Sequence, residues 1–347
     1  MTAVSKQRPL LTVSIPTWNR ATYLRLNLEQ LACQLEKKSQ DIEILISDNC
    51  STDATPKVVA EFLHKGLPIR SIRNSENIGS DRNIAQCFNE AAGRYVLILA
   101  DDDLLVDDAL SLILDLLKKK SYGVLSLGAY GYENDFRKEY PGGAFRLLDF
   151  TDVGDFIVEL GVFSTLISAN VISRELLEGV DAQQFCGSNL VQTHLVYRAA
   201  LKAQRNGCIK QWLVACKRNN SGGYAFSQVF VDRLGDILDE CLALGLQQKV
   251  VLKLEQRLLI GYYPFYIWRQ RLGSGEDLTV ARKRFQVRFA GRWAFNLFVN
   301  PIFLLPRPLA LVYGALAVAG GRVLNGDTRL GFNFACRKIV NFLMIGR

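Results

Sequence analysis

Four short apolar runs alternate with stretches of helical spacing along the first hundred residues. Leu10 to Ile15 is β-rich and stopped by Pro16, which predicts a first strand. Leu24, Leu28, Leu31 and Leu35 then recur at three- and four-residue intervals, which predicts a helix over 21–36. Ile42 to Asp48 reads as a second strand, and Ser51-Thr52-Asp53 opens a helix carrying Val58, Val59 and Phe62. A short third strand spans 69–73, Asn77-Ile78-Gly79 makes a turn, 81–92 reads as helix, and 95–99 forms a fourth strand. This alternation predicts an α/β fold, a mostly parallel sheet flanked by helices. Strands covered on both faces are apolar runs rather than polar–apolar alternations, as these are.

From residue 121 the pattern loosens. Tyr122 to Tyr130 reads as strand, Pro141-Gly142-Gly143 as loop, 155–167 and 189–201 as helices, and Val214-Ala215-Cys216 as a short strand. Asn219 to Gly223 reads as a flexible loop, and 229–260 is helical by pattern. The expected organisation is one domain over 1–225, with halves at 10–120 and 121–225, and a helical C-terminal region over 226–347. No internal repeat or low-complexity segment interrupts it.

The last eighty residues differ in kind. Arg282 to Phe289 interleaves bases with apolar side chains. Trp293 to Gly320 is largely apolar but broken by Pro301, Pro306, Arg307 and Pro308, leaving 11 uninterrupted residues from Leu309 to Ala319. A membrane-spanning helix needs roughly 20. Cationic flanks with Trp293 and Tyr313 suit a segment lying in the membrane interface. A buried helical subdomain or a dimer surface accounts for the same pattern.

Charge sharpens this division. The 347-residue chain carries +8 overall, but Arg269 to Arg347 holds 13 Lys/Arg against 3 Asp/Glu. That tail is therefore +10, and residues 1–268 are −2. The bases sit among apolar residues, so nucleic acid is not expected as a partner. A hydrophobic content of 49% is ample for a packed core. The eight cysteines are scattered without a CxxC pair, which suggests neither a zinc ribbon nor a thioredoxin-like site. A reduced, cytosolic protein is expected, and Met1 to Lys6 lacks the apolar core of a signal peptide.

The chemistry concentrates at Ala100-Asp101-Asp102-Asp103, directly after the fourth strand. Carboxylates at a strand's end lie at the carboxyl edge of the sheet, where open α/β folds bind ligands. Several acids without neighbouring Cys or His suit Mg²⁺ or Mn²⁺ rather than zinc. A divalent ion there would clamp a diphosphate and stabilise it as a leaving group. Asp102 or Asp103 as a helix cap is the bland account, yet three acids in a row exceed what capping needs.

Ordered motifs precede this cluster. They are Val13-Ser14-Ile15-Pro16-Thr17-Trp18-Asn19-Arg20, Ile46 to Asp53, Asn77-Ile78-Gly79 with Arg82-Asn83, and Gly93-Arg94-Tyr95 leading into Asp102-Asp103. Together they resemble family 2 glycosyltransferases, over residues 10–120. The wording is closest to the abequosyltransferase- and rhamnosyltransferase-like enzymes of surface-polysaccharide (O-antigen) synthesis. The resemblance implies a GT-A fold and a nucleotide-sugar site built from Pro16, Thr17, Asn19, Arg20, Asp48, Asn77, Gly79, Arg82 and Asp101. Asp48 would accept from a base N–H; turn-making with Asn49 is its alternative. Asp53 reads as a helix cap. Gly79 permits close backbone approach. Arg82 suits a diphosphate, or an ion pair with Asp81 or Glu76. The commonest metal motif of the family is Asp-x-Asp-Asp. Here Ala100 stands at its first position, Asp102 matches the main metal ligand, and Asp103 is second. Asp101 and Asp102 would point to opposite faces of a strand end.

The family's catalytic base, a carboxylate near a helix start in the second half, aligns with Gln192, whose amide takes no proton. An inverting transfer needs a base to deprotonate the acceptor hydroxyl. His194 has suitable chemistry, although two residues along a helix is about 200° around it, and a packed histidine is an equal alternative. Asp181 is a further candidate. The expected function is an inverting glycosyltransferase dependent on Mn²⁺ or Mg²⁺. It would pass a sugar from a nucleotide-diphosphate donor to a lipid-linked oligosaccharide, peripheral at the inner face of the cell membrane. Gln192 and Ala100 also allow a catalytically inactive nucleotide-sugar-binding or scaffolding protein. A nucleotidyltransferase would carry a Gly-rich, basic phosphate loop where Pro16-Thr17-Trp18-Asn19-Arg20 stands.

Overall fold

The computed structural model describes residues 8–35, 39–218, 223–273 and 275–325. The chain divides into two compact units, 1–222 and 223–347. Of the predicted loop 219–223, residues 219–222 lie outside the described residues, as does residue 36 of the first predicted helix.

The first unit is built on one nine-stranded mixed sheet. Strands β1 (Leu11–Thr17), β2 (Ile42–Asp48), β3 (Ile69–Arg73) and β4 (Tyr95–Ile98) run parallel in the order β3-β2-β1-β4, as the alternation predicts. They are linked by α1 (Ala21–Leu35), α2 (Thr55–His64) and α3 (Ser80–Asn89). Beyond β4 the sheet continues through β8 (Asn170–Ser173), β6 (Val124–Tyr132), β9 (Asn206–Lys217) and the two-residue β5 (Leu104–Leu105). A further strand, β7 (Leu147–Phe150), pairs with β9. Helix α4 (Ala109–Lys119) follows β5, α5 (Val153–Leu160) follows β7, and α6 (Val191–Lys202) precedes β9.

The two faces of the parallel strands are covered differently. Leu11, Val13 and Ile15 of β1 and Ile44 and Ile46 of β2 join one apolar core with Leu24, Leu28 and Leu31 of α1 and Val58 and Phe62 of α2. On the α3 face, small polar residues replace them. Ser14 Oγ donates to the Cys87 carbonyl at 3.0 Å, and Ser47 Oγ to Asn83 Oδ1 at 2.6 Å. Short hydroxyl side chains let α3 approach the sheet while keeping every buried donor bonded. Antiparallel pairing of β4 with β8, and of β8 with β6, makes β6 point the same way as β4. The carboxyl ends of β1, β2, β4 and β6 thus share one edge, which collects the site.

The second unit is helical over its described residues: α7 (Leu234–Ala243), α8 (Gln248–Gly261), α9 (Tyr263–Leu272), α10 (Leu278–Phe289), α11 (Asn300–Leu304) and α12 (Arg307–Leu324). Two π-helical turns precede α7 and α11, at Gln228–Arg233 and Phe295–Val299. The bases of 282–292 are used differently from the sequence expectation. Arg282 bonds to Asn300, Arg284 to Asp232, Arg288 to Asp239 and Glu255, and Arg292 to Glu255 and the Leu252 carbonyl. They brace helices within the unit. Pro308 sits in the first turn of α12, where its missing N–H is harmless. The helix therefore runs 18 residues, with the 11 uninterrupted apolar positions Leu309 to Ala319 inside it. Its small residues dock it: a Cβ on Gly314 would lie 2.3 Å from the Trp268 ring, and one on Gly321 would lie 1.9 Å from the Ile260 carbonyl oxygen.

Candidate active site at the carboxyl edge of the sheet

Thr17 and Asp48 are register partners at the ends of β1 and β2. Asp48 is 3% exposed. Its Oδ1 accepts the Ser51 amide at 2.9 Å, the local turn that Asp commonly makes. Its Oδ2 is buried, accepts no hydrogen bond, and lies 3.5 Å from Arg73 Nε at the end of β3. A buried acceptor left without a donor is costly, so this atom is poised for one.

Asn49 ties the neighbouring loops together. Its amide nitrogen donates to Asn77 Oδ1 at 2.8 Å, and its Oδ1 accepts from Asn74 Nδ2 at 3.1 Å and the Ile78 amide at 3.0 Å. Asn77 Oδ1 also accepts from the Gly79 amide at 2.9 Å. Gly79 has φ +86°, a conformation glycine adopts freely, and leads directly into α3. Arg82, in the first turn of α3, is exposed and makes no ion pair among the described residues. Asp81 instead accepts from the amides of Gly187 and Asn189, fixing the segment before α6.

On the other side of β1, Asn19 takes a left-handed backbone at φ 54°. Its Oδ1 accepts the Thr52 amide at 2.8 Å. Asp53 accepts from the amides of Ala21 and Thr55, the first residues of α1 and α2, although the cap position of α2 itself is Ala54. Arg20, next in the turn, points at the acidic cluster.

The three acids there have separate surroundings. Asp101 is 7% exposed, and its Oδ2 accepts the Thr17 hydroxyl at 2.8 Å. Burial pushes its carboxyl up to about 7, with Asp102 adding to the rise and Thr17 and Arg20 opposing it. The Thr17 hydroxyl thus points inward to this acid. Asp102 Oδ2 accepts Arg20 Nη1 at 3.1 Å, while its backbone carbonyl accepts the Tyr132 hydroxyl at 3.3 Å. Asp103, expected as a second metal ligand, has both oxygens engaged by the protein. Oδ2 accepts Ser168 Oγ at 2.6 Å and Oδ1 accepts the Lys217 amide at 3.0 Å. Burial pushes its carboxyl up to about 6. Ser168 also holds the Ala100 amide, and Asn27 of α1 donates to the Ala100 and Asp103 carbonyls.

Of these supporting residues, Asn49 was named from the sequence only as a turn partner of Asp48, and Asn27 and Ser168 were not singled out. Asn27 had a signal: with Gln30 it is polar on the otherwise apolar face of α1, and both are buried. Ser168 had none, since it reaches Asp103 across 65 residues.

The three residues considered for the base are not brought together. Asp181 caps a 3-10 turn (Ala182–Phe185) and accepts Asn89 Nδ2 at 2.6 Å. Asn89 ends α3, the opposite end from Gly79. Gln192 lies in the first turn of α6, its amide nitrogen donating to the Thr165 carbonyl at 2.7 Å and its Oε1 buried without a donor. His194, on the same helix, is 6% exposed and stacks on Phe185 with ring centroids 4.5 Å apart.

Against known proteins, residues 12–180 match the family described as glycosyl transferase family 2. The abequosyltransferase RfbV of Salmonella typhimurium is 41% identical over 105 residues, 30% of this chain and 31% of that protein. A GalNAc(5)-diNAcBac-PP-undecaprenol beta-1,3-glucosyltransferase of Campylobacter jejuni is 30% identical over 135 residues, 39% of this chain and 43% of its own length. The matches thus span less than half of these curated relatives. The crystal structure of Staphylococcus aureus TarS 1–349 in complex with UDP-GlcNAc is similar in fold, with a TM-score of 0.58 at 17% identity, over 92% of each chain. The segment 12–180, just under half of the chain, thus carries the likeness to glycosyl transferase family 2.

Proposed function

We propose that this protein is an inverting, divalent-metal-dependent glycosyltransferase that transfers a sugar from a nucleotide-diphosphate donor to a lipid-linked saccharide hydroxyl in surface-polysaccharide synthesis. The observation carrying this reading is Asp48 Oδ2, a buried carboxylate oxygen without a hydrogen-bond donor on the edge that also holds Asp101–Asp103. It is suited to a base N–H. Arg82, exposed at the start of α3, supplies a guanidinium matched to phosphate oxygens.

The acidic cluster fits a divalent ion. Asp102 is the one acid of the three whose side-chain oxygen is already bonded to a cationic side chain, and Asp103 acts as its rigid neighbour. Among the described residues no three His, Cys, Asp or Glu form a metal cluster. Mg²⁺ and Mn²⁺ sites of this class use one or two carboxylates plus substrate phosphates, so one well-placed Asp suffices. A bound ion would stabilise charge on the departing diphosphate. His194 is retained as the proposed base, because Gln192 takes no proton and Asp181 is engaged at the far end of α3.

The lipid-linked acceptor is supported by the undecaprenol-linked substrate named for the Campylobacter relative. The outward side of α12 supports peripheral contact with the inner face of the membrane. Leu309, Val312, Leu316 and Val323 are each more than half exposed there, while its opposite side packs on Trp268 and Ile260. A helix docked on one side and apolar on the other suits the interface better than a span.

Donor hydrolysis and transfer by pure protein test the reading, using UDP-, GDP-, TDP- and CDP-sugars with and without Mn²⁺. One nucleotide class is turned over with metal, and Asp102→Asn loses about a hundredfold or more in rate while melting normally. Wild-type rates in that variant would remove Asp102 from the chemistry. No turnover of any donor, with nucleotide binding intact, would favour the non-catalytic reading that Gln192 motivates.

A further inference from the structure

Arg20 sits where a metal ion would be expected to meet the acidic cluster. Its Nη1 lies 3.1 Å from Asp102 Oδ2 and 4.0 Å from Asp101 Oδ1. Its backbone is fixed: the amide donates to Thr55 Oγ1, and the carbonyl accepts the Leu24 amide in the first turn of α1. Its side chain is about a third exposed, with the guanidinium 5.4 Å from the Tyr23 ring. The anchor is thus rigid, and the charged end sits on a long side chain that a change of rotamer can redirect.

We infer that Arg20 is a placeholder cation: it occupies Asp102 in the free enzyme, and moves from that carboxylate to the donor's diphosphate when a divalent ion arrives. The inference rests on the metal-dependent donor site proposed above. A guanidinium and a divalent ion repel most strongly at contact distance, so they do not share one carboxylate oxygen. Asp103 is the poorer alternative, because Ser168 and the Lys217 amide already engage each of its oxygens and fix their direction. Asp101 is turned toward Thr17. An ion that takes Asp102 Oδ2 therefore displaces Arg20. The displaced fork is matched in shape and charge to a diphosphate, which it can bind bidentately.

Two consequences follow from this exchange. Metal alone must break the Arg20–Asp102 pair, so its affinity is reduced. Metal with a nucleoside diphosphate breaks the same pair but gives Arg20 a new partner. Metal and nucleotide binding are then positively coupled, and the coupling is reciprocal. Arg20 also keeps Asp102 paired beside two other acids while the site is free of ligand.

The test is Mn²⁺ titration followed by the EPR signal of the free ion, with and without UDP, on wild type, Arg20→Gln and Arg20→Lys, each checked by thermal melting. A partly exposed ion pair predicts that Arg20→Gln binds Mn²⁺ alone about fivefold more tightly than wild type. The enhancement of Mn²⁺ affinity by UDP falls in the same variant. Arg20→Lys, which keeps the charge without the fork, retains weak binding of metal alone but loses part of the enhancement. Equal or weaker Mn²⁺ affinity in Arg20→Gln would overturn the placeholder role and leave the metal site standing. Absence of Mn²⁺ binding in every protein, alone and with each of UDP, GDP, TDP and CDP, would overturn both.

Discussion

Glu43 illustrates how single residues hold the frame beneath the site. It lies at the amino end of the sheet, where its carboxylate receives the Thr12 hydroxyl at 2.6 Å, the Ala92 amide at 2.9 Å and Arg70 Nε at 2.8 Å. Burial pushes its carboxyl up, but these donors outweigh burial and hold it below the usual carboxylate range. A folded-state value below the unfolded one adds stability above the unfolded value, and that stability is lost as pH falls through the folded value. Glu43→Gln should therefore lower the melting temperature at pH 7, with a cost of about 2 kcal/mol. The gap to wild type should close below about pH 4, where the unfolded carboxyl is protonated. A gap independent of pH would mean that shape, not charge, matters here. Asn49 plays the matching part at the carboxyl edge, where it bonds to Asn74, Asn77 and Ile78.

At the scale of elements, the turn from Asn77 into α3 depends on the conformational freedom of glycine. Gly79 adopts φ +86°, and a Cβ there would meet nothing within 4 Å. Gly79→Ala thus suffers backbone strain alone, of about 1–2 kcal/mol. Urea denaturation should show that loss, and nucleotide affinity should fall with it because the start of α3 shifts. Unchanged stability would show that the turn relaxes freely. The strands and helices through β4 were legible in the sequence because each is a buried run or a periodic face. The short strands β5, β7 and β8 were not, since two to four residues carry no local pattern and their pairing is settled by distant partners. Val214 to Cys216 was read as a short strand, whereas β9 extends from Asn206. Its polar positions Lys210 and Gln211 hid the rest.

At the scale of the whole molecule, charge and apolarity proved less tightly linked than the tail suggested. Arg282, Arg284, Arg288 and Arg292 bond within the second unit, so the proposed lipid contact is assigned to the exposed apolar side of α12. Flotation of the full chain with vesicles containing anionic lipid should capture it. Leu316→Asp, at an exposed position, should release most of it without altering the fold, since Leu316 is 58% exposed. Flotation unaffected by that change would direct attention away from α12. The motifs that mark the site were legible as an ordered set in 10–120. Its bracing, from Asn27, Ser168 and the Lys217 amide, was not, because each contact closes over long stretches of chain.

The carboxyl edge of the sheet is proposed to bind a nucleoside diphosphate together with a divalent ion. Thermal melting of the full chain with UDP, GDP, TDP and CDP, each with and without Mn²⁺, tests it most directly. A ligand bound only by the native state raises its stability. One nucleotide should raise the melting temperature in a metal-dependent way, and the rise should vanish in Asp48→Ala and Asp102→Asn. No shift with any of the four, with or without Mn²⁺, would contradict the donor site.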